Sequence, residues 1–146
     1  MIYIGIFAIV LVLIVLFVFL KKKQDELEER FQSKYSGSII EKLDKQVFLA
    51  AQESKGYSQS QGLGYLILTD EHLIFDMQLM DNIITIPLSS ITNIGQTRRM
   101  GGKSTGKTWL KVEYRDNSGR NDALALSVKN LDVWQEKLKS ITGRNA

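Results

Sequence analysis

The chain has 146 residues, which is enough for one domain of ordinary size and a short additional segment. It has no cysteine and one histidine, which excludes disulfides, thiolate zinc sites and cysteine nucleophiles. The net charge of +3 does not indicate a dedicated nucleic-acid-binding protein and suits an anionic partner such as lipid head groups.

The N-terminal twenty residues predict a transmembrane helix. The segment 1–20 carries no charged side chain, and sixteen of its residues are Ile, Leu, Val or Phe. At about 1.5 Å per residue it spans about 30 Å, the thickness of the hydrocarbon core of a bilayer. A cleaved signal peptide is the alternative, but the basic start and the small-residue cleavage site that it needs are missing. We therefore expect an uncleaved anchor.

The residues after the anchor predict its orientation. Lys21, Lys22 and Lys23 follow Leu20 directly, and no basic side chain precedes it. Because positively charged flanks stay in the cytoplasm, we expect a single-pass protein of the cell membrane with its N-terminus outside and its C-terminal domain in the cytoplasm. A second hypothesis is that these membrane-flanking lysines also attract anionic lipids.

Residues 21–46 are predicted to form a charged, helical juxtamembrane linker. Leu27, Phe31 and Tyr35 recur at every fourth position, on one face of a helix that continues the membrane span. This stripe suits a spacer helix, and a self-association seam is the alternative.

A second short helix is predicted in the same linker, after an interruption at Gly37. Ser38 and Glu41 have the spacing of a capping box, ahead of the apolar residues up to Val47. We expect this helix to pack on the domain that follows.

From residue 47 the apolar residues alternate with polar ones, which predicts β-strands. The domain is expected over residues 47–142, with residues 143–146 as a tail. A final amphipathic helix is expected to be capped by Asn130 and to carry Trp134 on its apolar face. The expected strands cover residues 47–54, 63–69, 72–78, 83–87, 89–99, 108–116 and 123–128, with turns at residues 70–71, 80–82 and 116–119.

This order of elements predicts a mainly β fold, in which one C-terminal helix covers the open end of a bent seven-stranded sheet or partial barrel. The sequence segments 68–75 (LTDEHLIF) and 86–91 (IPLSSI) resemble segments of GRAM domains and of related bacterial PH-like domains. The resemblance covers about residues 47–141. It implies a seven-stranded PH-type barrel that binds lipids or proteins and has no shared catalytic residues.

One motif indicates a different function. Residues 101–108 (GGKSTGKT) match the Walker A pattern of nucleotide-binding proteins. A phosphate-binding loop must follow a buried strand and enter a helix, whereas the residues from Thr108 onward alternate like a strand. Magnesium would also need a carboxylate at the end of another strand, and no convincing one is present. We therefore expect a hairpin loop, with a nucleotide site that uses Lys107 and Thr108 as the weaker alternative.

The same loop is rich in cations, which makes it the candidate ligand-binding site for an anion or an anionic head group. A solvated loop without a ligand is the alternative. The candidate residues are Arg98, Arg99, Lys103, Lys107 and Lys111.

Other chemistry is sparse. The lone His72 lies beside a turn, and the carboxylates of Asp70, Glu71, Asp76 and Asp81 do not have the spacing of a catalytic pair. The sequence therefore predicts no enzyme, no cofactor and no metal site.

The favoured function is a membrane-anchored binding or docking module at the cytoplasmic membrane face, which binds a membrane-protein partner or anionic lipid head groups and no nucleic acid. A structural subunit of a membrane complex without a ligand is the alternative, and a P-loop nucleotide-binding protein is the less favoured one.

Overall fold

The computed structural model describes residues 1–56, 61–77 and 82–143. The chain divides into two units, Met1–Ser38 and Ile39–Ala146. The first unit contains one helix, and the second contains the sheet and a C-terminal helix.

Helix α1 extends without a break over Ile2–Tyr35. Its most apolar stretch has a mean hydropathy of 3.3, so by length and composition it is a candidate membrane-spanning helix. The charged residues after Leu20 continue the same helix, as predicted. The rings of Phe31 and Tyr35 lie 5.0 Å apart, in agreement with their predicted positions on one helix face.

The predicted second helix of the linker is wrong, because these residues form the start of the long strand β1, Ile40–Gln52. Leu43 pairs with Ile67 and Val47 with Gly64 of the next strand. The register shifts between Asp44 and Val47, and such a β-bulge breaks the two-residue alternation by which a strand is recognised. The helical linker therefore ends at Tyr35, and the predicted boundary at residue 47 falls inside β1.

Seven strands form one antiparallel sheet in the order β4-β3-β2-β1-β7-β6-β5. Strand β1 pairs with β2 along most of its length and with β7 near its end, so it joins the two hairpin-connected halves of the sheet. Its bulges bend the sheet at this junction. The remaining strands are β2 (Gly62–Thr69), β3 (His72–Met77), β4 (Asn82–Pro87), β5 (Ile91–Thr97), β6 (Trp109–Arg115) and β7 (Asn121–Ser127).

Helix α2, Leu131–Thr142, covers the open end of the bent sheet and contacts β5 and β6. Trp134 and Leu138 are fully buried and join the main core, which is built from the inner faces of all seven strands. The predicted seven-stranded sheet with a capping helix is therefore confirmed. Asn130 is the N-cap residue of α2, as predicted, but it acts through its backbone carbonyl, which accepts a hydrogen bond from Trp134 N, and its side chain makes no capping hydrogen bond.

Parts of the sequence-based predictions lie outside the described residues. They are Gln78 at the end of the third predicted strand, residues 80 and 81 of the predicted turn, Asp81 among the carboxylates, and residues 144–146 of the tail.

Candidate binding site

The glycine- and lysine-rich segment between β5 and β6 is a hairpin loop. Met100 and Lys103 exchange two backbone hydrogen bonds of 3.1 and 2.9 Å, which close a tight turn over Gly101 and Gly102. Both glycines have positive φ (57° and 77°), a conformation that L side chains rarely adopt. The glycines are therefore explained by the turn, without a bound phosphate.

The Walker A geometry is not present. The strand before the loop, β5, is an edge strand and pairs with β6 in antiparallel register, and Thr108 is followed by β6 and not by a helix. A P-loop needs the N-terminal amides and the dipole of a helix to hold its phosphates. The predicted strand after Thr108 is confirmed.

The loop lies over a second, smaller apolar cluster on the outer face of the sheet. Met100 packs there with Trp109, which is 2% exposed, and with four alanines of β1 and β7. Its neighbour Leu110 belongs to the main core, as expected for the two faces of one strand. The outer face of this half of the sheet is therefore partly apolar.

A row of side chains crosses this outer face. Phe48 of β1 pairs with Leu63 of β2 on one side and with Ser127 of β7 on the other. Because residues that pair directly across strands share a face, Phe48 and Leu63 form an apolar pair, and they are 36% and 65% exposed. Trp109 is next to Leu110, which pairs with Leu126, so it continues the row on β6.

Two adjoining cavities follow this row, and we refer to them together as the outer groove. The first, of about 530 Å³, lies between the β5–β6 loop and the sheet and is lined by Phe48, Trp109, Lys103 and Lys107, among others. The second, of about 500 Å³, is lined by Phe48, Leu63 and Lys129, among others. Phe48 and Ser127 line both cavities.

The outer groove is electropositive. Lys103, Lys107 and Lys129 line it, and no Asp or Glu is found among its described lining residues. Lys129 Nζ donates a hydrogen bond of 2.9 Å to Gln46 Oε1, an uncharged partner. The three positive charges are therefore not neutralised within the groove.

Of the five predicted ligand-binding residues, the structure brings Lys103 and Lys107 together in the outer groove. Arg98 and Arg99 lie before the turn, where Arg98 Nε donates to Thr108 Oγ1 at 3.4 Å. Lys111 Nζ lies 3.2 Å from the Glu113 carboxylate. A hydrogen bond from Asn93 is the main cause that lowers the pKa of Glu113, and Lys111 adds to it. Lys21, Lys22 and Lys23 lie on α1.

Sequence reasoning missed the floor of the groove and its third lysine. Phe48, Leu63 and Lys129 are far apart in the sequence and meet only through the pairing of β1 with β2 and β7. A signal was present, because apolar residues occupy both faces of the strand around Phe48. The sequence alone did not show which residues of β2 and β7 pair with Phe48, so the groove could not be inferred from this signal.

A buried carboxylate on the inner side of the sheet fixes the far end of β1. Asp122 is 6% exposed and accepts hydrogen bonds from Gln52 Nε2 (2.9 Å), Ser54 Oγ (2.7 Å) and Tyr114 OH (3.1 Å). Burial acts to raise the pKa of Asp122, but the hydrogen bonds outweigh it and the pKa lies below its usual value. Burial and the Asp122 charge raise the pKa of Tyr114. This network is saturated with partners and stabilises the fold.

In the described part of the chain, no group of three or more His, Asp or Glu side chains is placed so that it could hold a metal ion.

Several solved structures are similar to this chain, and two of them illustrate the likeness. One is the C-terminal domain of an unknown protein from Leishmania infantum, with a TM-score of 0.53, 16% identity and coverage of 80% of this chain and 97% of that one. The other is the N-terminal PH domain of Vps36, with a TM-score of 0.52, 15% identity and coverage of 74% of this chain and 81% of that one.

These likenesses show a PH-like fold, which confirms the coarser part of the predicted resemblance. No protein-family model and no curated protein matches the chain, so its assignment to the GRAM group stays a prediction.

Proposed function

We propose that this chain is a single-pass membrane protein whose PH-like domain, of the GRAM type, docks a partner at the cytoplasmic face of the membrane. A membrane protein is the favoured partner, because a domain that is already tethered gains little from weak affinity for lipid head groups alone. The proposed role is binding and not catalysis.

The observation that carries this proposal is the outer groove. It combines exposed apolar side chains with lysines on one face of the sheet, and interaction sites in proteins share this composition. The apolar helix α1 supports a position at a membrane, where the anionic inner leaflet attracts lysines.

Anionic lipid is the second candidate ligand, and it is supported by the same lysines. In this version Lys103 and Lys107 contact phosphate groups of the membrane to which the chain is anchored. Residues 38–146 contain the complete sheet and both apolar clusters, so this fragment suits a vesicle-pelleting assay. Head-group binding predicts pelleting with vesicles that contain phosphatidylglycerol, and its loss at high salt.

Co-purification tests the docking role. We expect the full chain, extracted from membranes with its anchor, to retain a partner that the variant Lys103→Glu with Lys107→Glu loses. The matched control is Arg115→Glu, which reverses an exposed charge at the other end of β6. Equal partner recovery with all three proteins would favour a structural subunit whose loop is inert, and recovery of no partner would contradict the docking role.

A further inference from the structure

The floor of the outer groove needs an apolar partner. Solvent-facing positions of an antiparallel sheet are normally polar, yet Phe48 and Leu63 face outward side by side, with Leu63 65% exposed. In the described part of the chain, the β5–β6 loop covers Trp109 but leaves this pair accessible. A ligand that is polar throughout would leave this surface unmatched.

The walls of the groove need negative charge. Lys103 and Lys107 stand at one end and Lys129 at the other, so the cations flank the apolar pair. Among the described residues, neither Lys103 nor Lys107 takes part in an ion pair. A ligand with carboxylates on both sides of an apolar centre would satisfy all three lysines.

The shape of the groove favours an extended chain. Its two cavities share Phe48 and Ser127 in their linings, and together they extend over β1, β2, β6 and β7. An extended peptide directs alternate side chains to the same side, which lets two apolar side chains reach the floor while the acidic residues before and after them lie toward the lysines at the two ends. A phosphorylated head group would contact the lysines and leave Phe48 and Leu63 exposed.

We infer that the outer groove binds an acidic, extended peptide segment of a partner protein, with bulky apolar side chains on Phe48 and Leu63 and carboxylates toward Lys103, Lys107 and Lys129. This inference rests on the proposed docking function and names the chemistry of the partner.

The probe is the synthetic peptide Glu-Asp-Phe-Glu-Leu-Asp, titrated calorimetrically into the full chain in phosphatidylcholine nanodiscs. We expect saturable binding that weakens as salt is added, because exposed charge pairs are screened. One control peptide replaces Phe and Leu by Ser, and the other replaces the acidic residues by their amides. Both control peptides are expected to bind at least about tenfold more weakly than the probe. The first loses the burial of apolar side chains on Phe48 and Leu63, and the second loses the attraction between carboxylates and lysines.

Two variants test the two halves of the groove separately. Lys103→Glu with Lys107→Glu is expected to weaken binding about tenfold or more, because attraction becomes repulsion. Leu63→Ser removes an exposed apolar side chain and is expected to weaken binding about fivefold without lowering the unfolding temperature. Arg115→Glu, the control, should stay within about twofold of the wild type.

The inference is overturned if the wild type does not bind the probe, if the Ser-containing peptide binds equally well, or if the lysine and Leu63 variants bind like the wild type. Binding of phosphatidylglycerol vesicles without binding of the peptide would also overturn it, in favour of lipid. If the peptide fails while co-purification still depends on Lys103 and Lys107, the docking function stands and only the acidic-peptide chemistry is wrong.

Discussion

Asp122 illustrates at the scale of single residues how a buried carboxylate can hold distant segments together. It ties Gln52, the last residue of β1, and Ser54 just after it to β6 and β7. Asp122→Asn places an amide group among these donors, so we expect it to lower the free energy of unfolding by about 1–3 kcal/mol. Urea denaturation measures this loss, and an unchanged midpoint would show that the network is not stabilising.

The same residue makes stability depend on pH. The pKa of Asp122 is lowered in the folded protein. Its contribution to the free energy of unfolding is therefore fully present above the pKa of the unfolded chain, and it is lost as the pH falls from there through the lower pKa of the folded protein. The raised pKa of Tyr114 has the opposite consequence, a loss of stability above about pH 10. Urea denaturation of the wild type and of Asp122→Asn between pH 2 and 7 measures this effect. We expect the free energy of unfolding to fall less with decreasing pH in the variant than in the wild type.

Gly64 is needed because two strands approach closely at this position. A Cβ added there would lie 2.5 Å from the backbone oxygen of Asp76 and 2.9 Å from Cζ of Phe75. We expect Gly64→Ala to destabilise the domain by about 1–3 kcal/mol, because backbone cannot move aside cheaply. Gly95→Ala on β5, where nothing lies within 4 Å, is the matched control and should be close to neutral. Equal effects of the two substitutions would contradict this explanation.

At the scale of elements, the β5–β6 connection is a strand–loop–strand hairpin, and this leads to a prediction about nucleotides. Calorimetric titration of residues 38–146 with Mg-ATP or Mg-GTP is expected to give no saturable heat, because no helix follows Thr108. Saturable binding that Lys107→Ala abolishes would restore the nucleotide-binding interpretation.

The strands could be predicted from the sequence where apolar and polar residues alternate regularly, and they could not be predicted where a bulge interrupts this alternation. Residues 109–115 alternate clearly and form β6. Residues 40–46 contain a bulge at which Asp44 Oδ1 accepts a hydrogen bond from Gln46 N, and the capping-box spacing there imitated a helix. The lysines of the loop were visible as a local cluster. Phe48, Leu63 and Lys129 were not, because strand pairing alone brings them together.

At the scale of the whole molecule, the proposed topology has a direct test, because the natural chain contains no cysteine. A single cysteine at exposed Asn117 should react with a membrane-impermeant maleimide only after the cells are permeabilised. A cysteine at Tyr3 should react with intact cells. The reverse pattern would place the domain outside, and release of an N-terminally cleaved chain would show that residues 1–20 are a signal peptide.

The central claim is that a tethered PH-like domain docks a partner through its outer groove, and cross-linking in cells tests it most directly. A photoreactive amino acid would replace Leu63 in the groove or, as a control, Asn117 in the β6–β7 turn. We predict a discrete adduct from position 63 that disappears with Lys103→Glu and Lys107→Glu, and none from position 117. The account would be contradicted if position 63 gave no adduct, or if its adduct persisted when both lysines were replaced by glutamate.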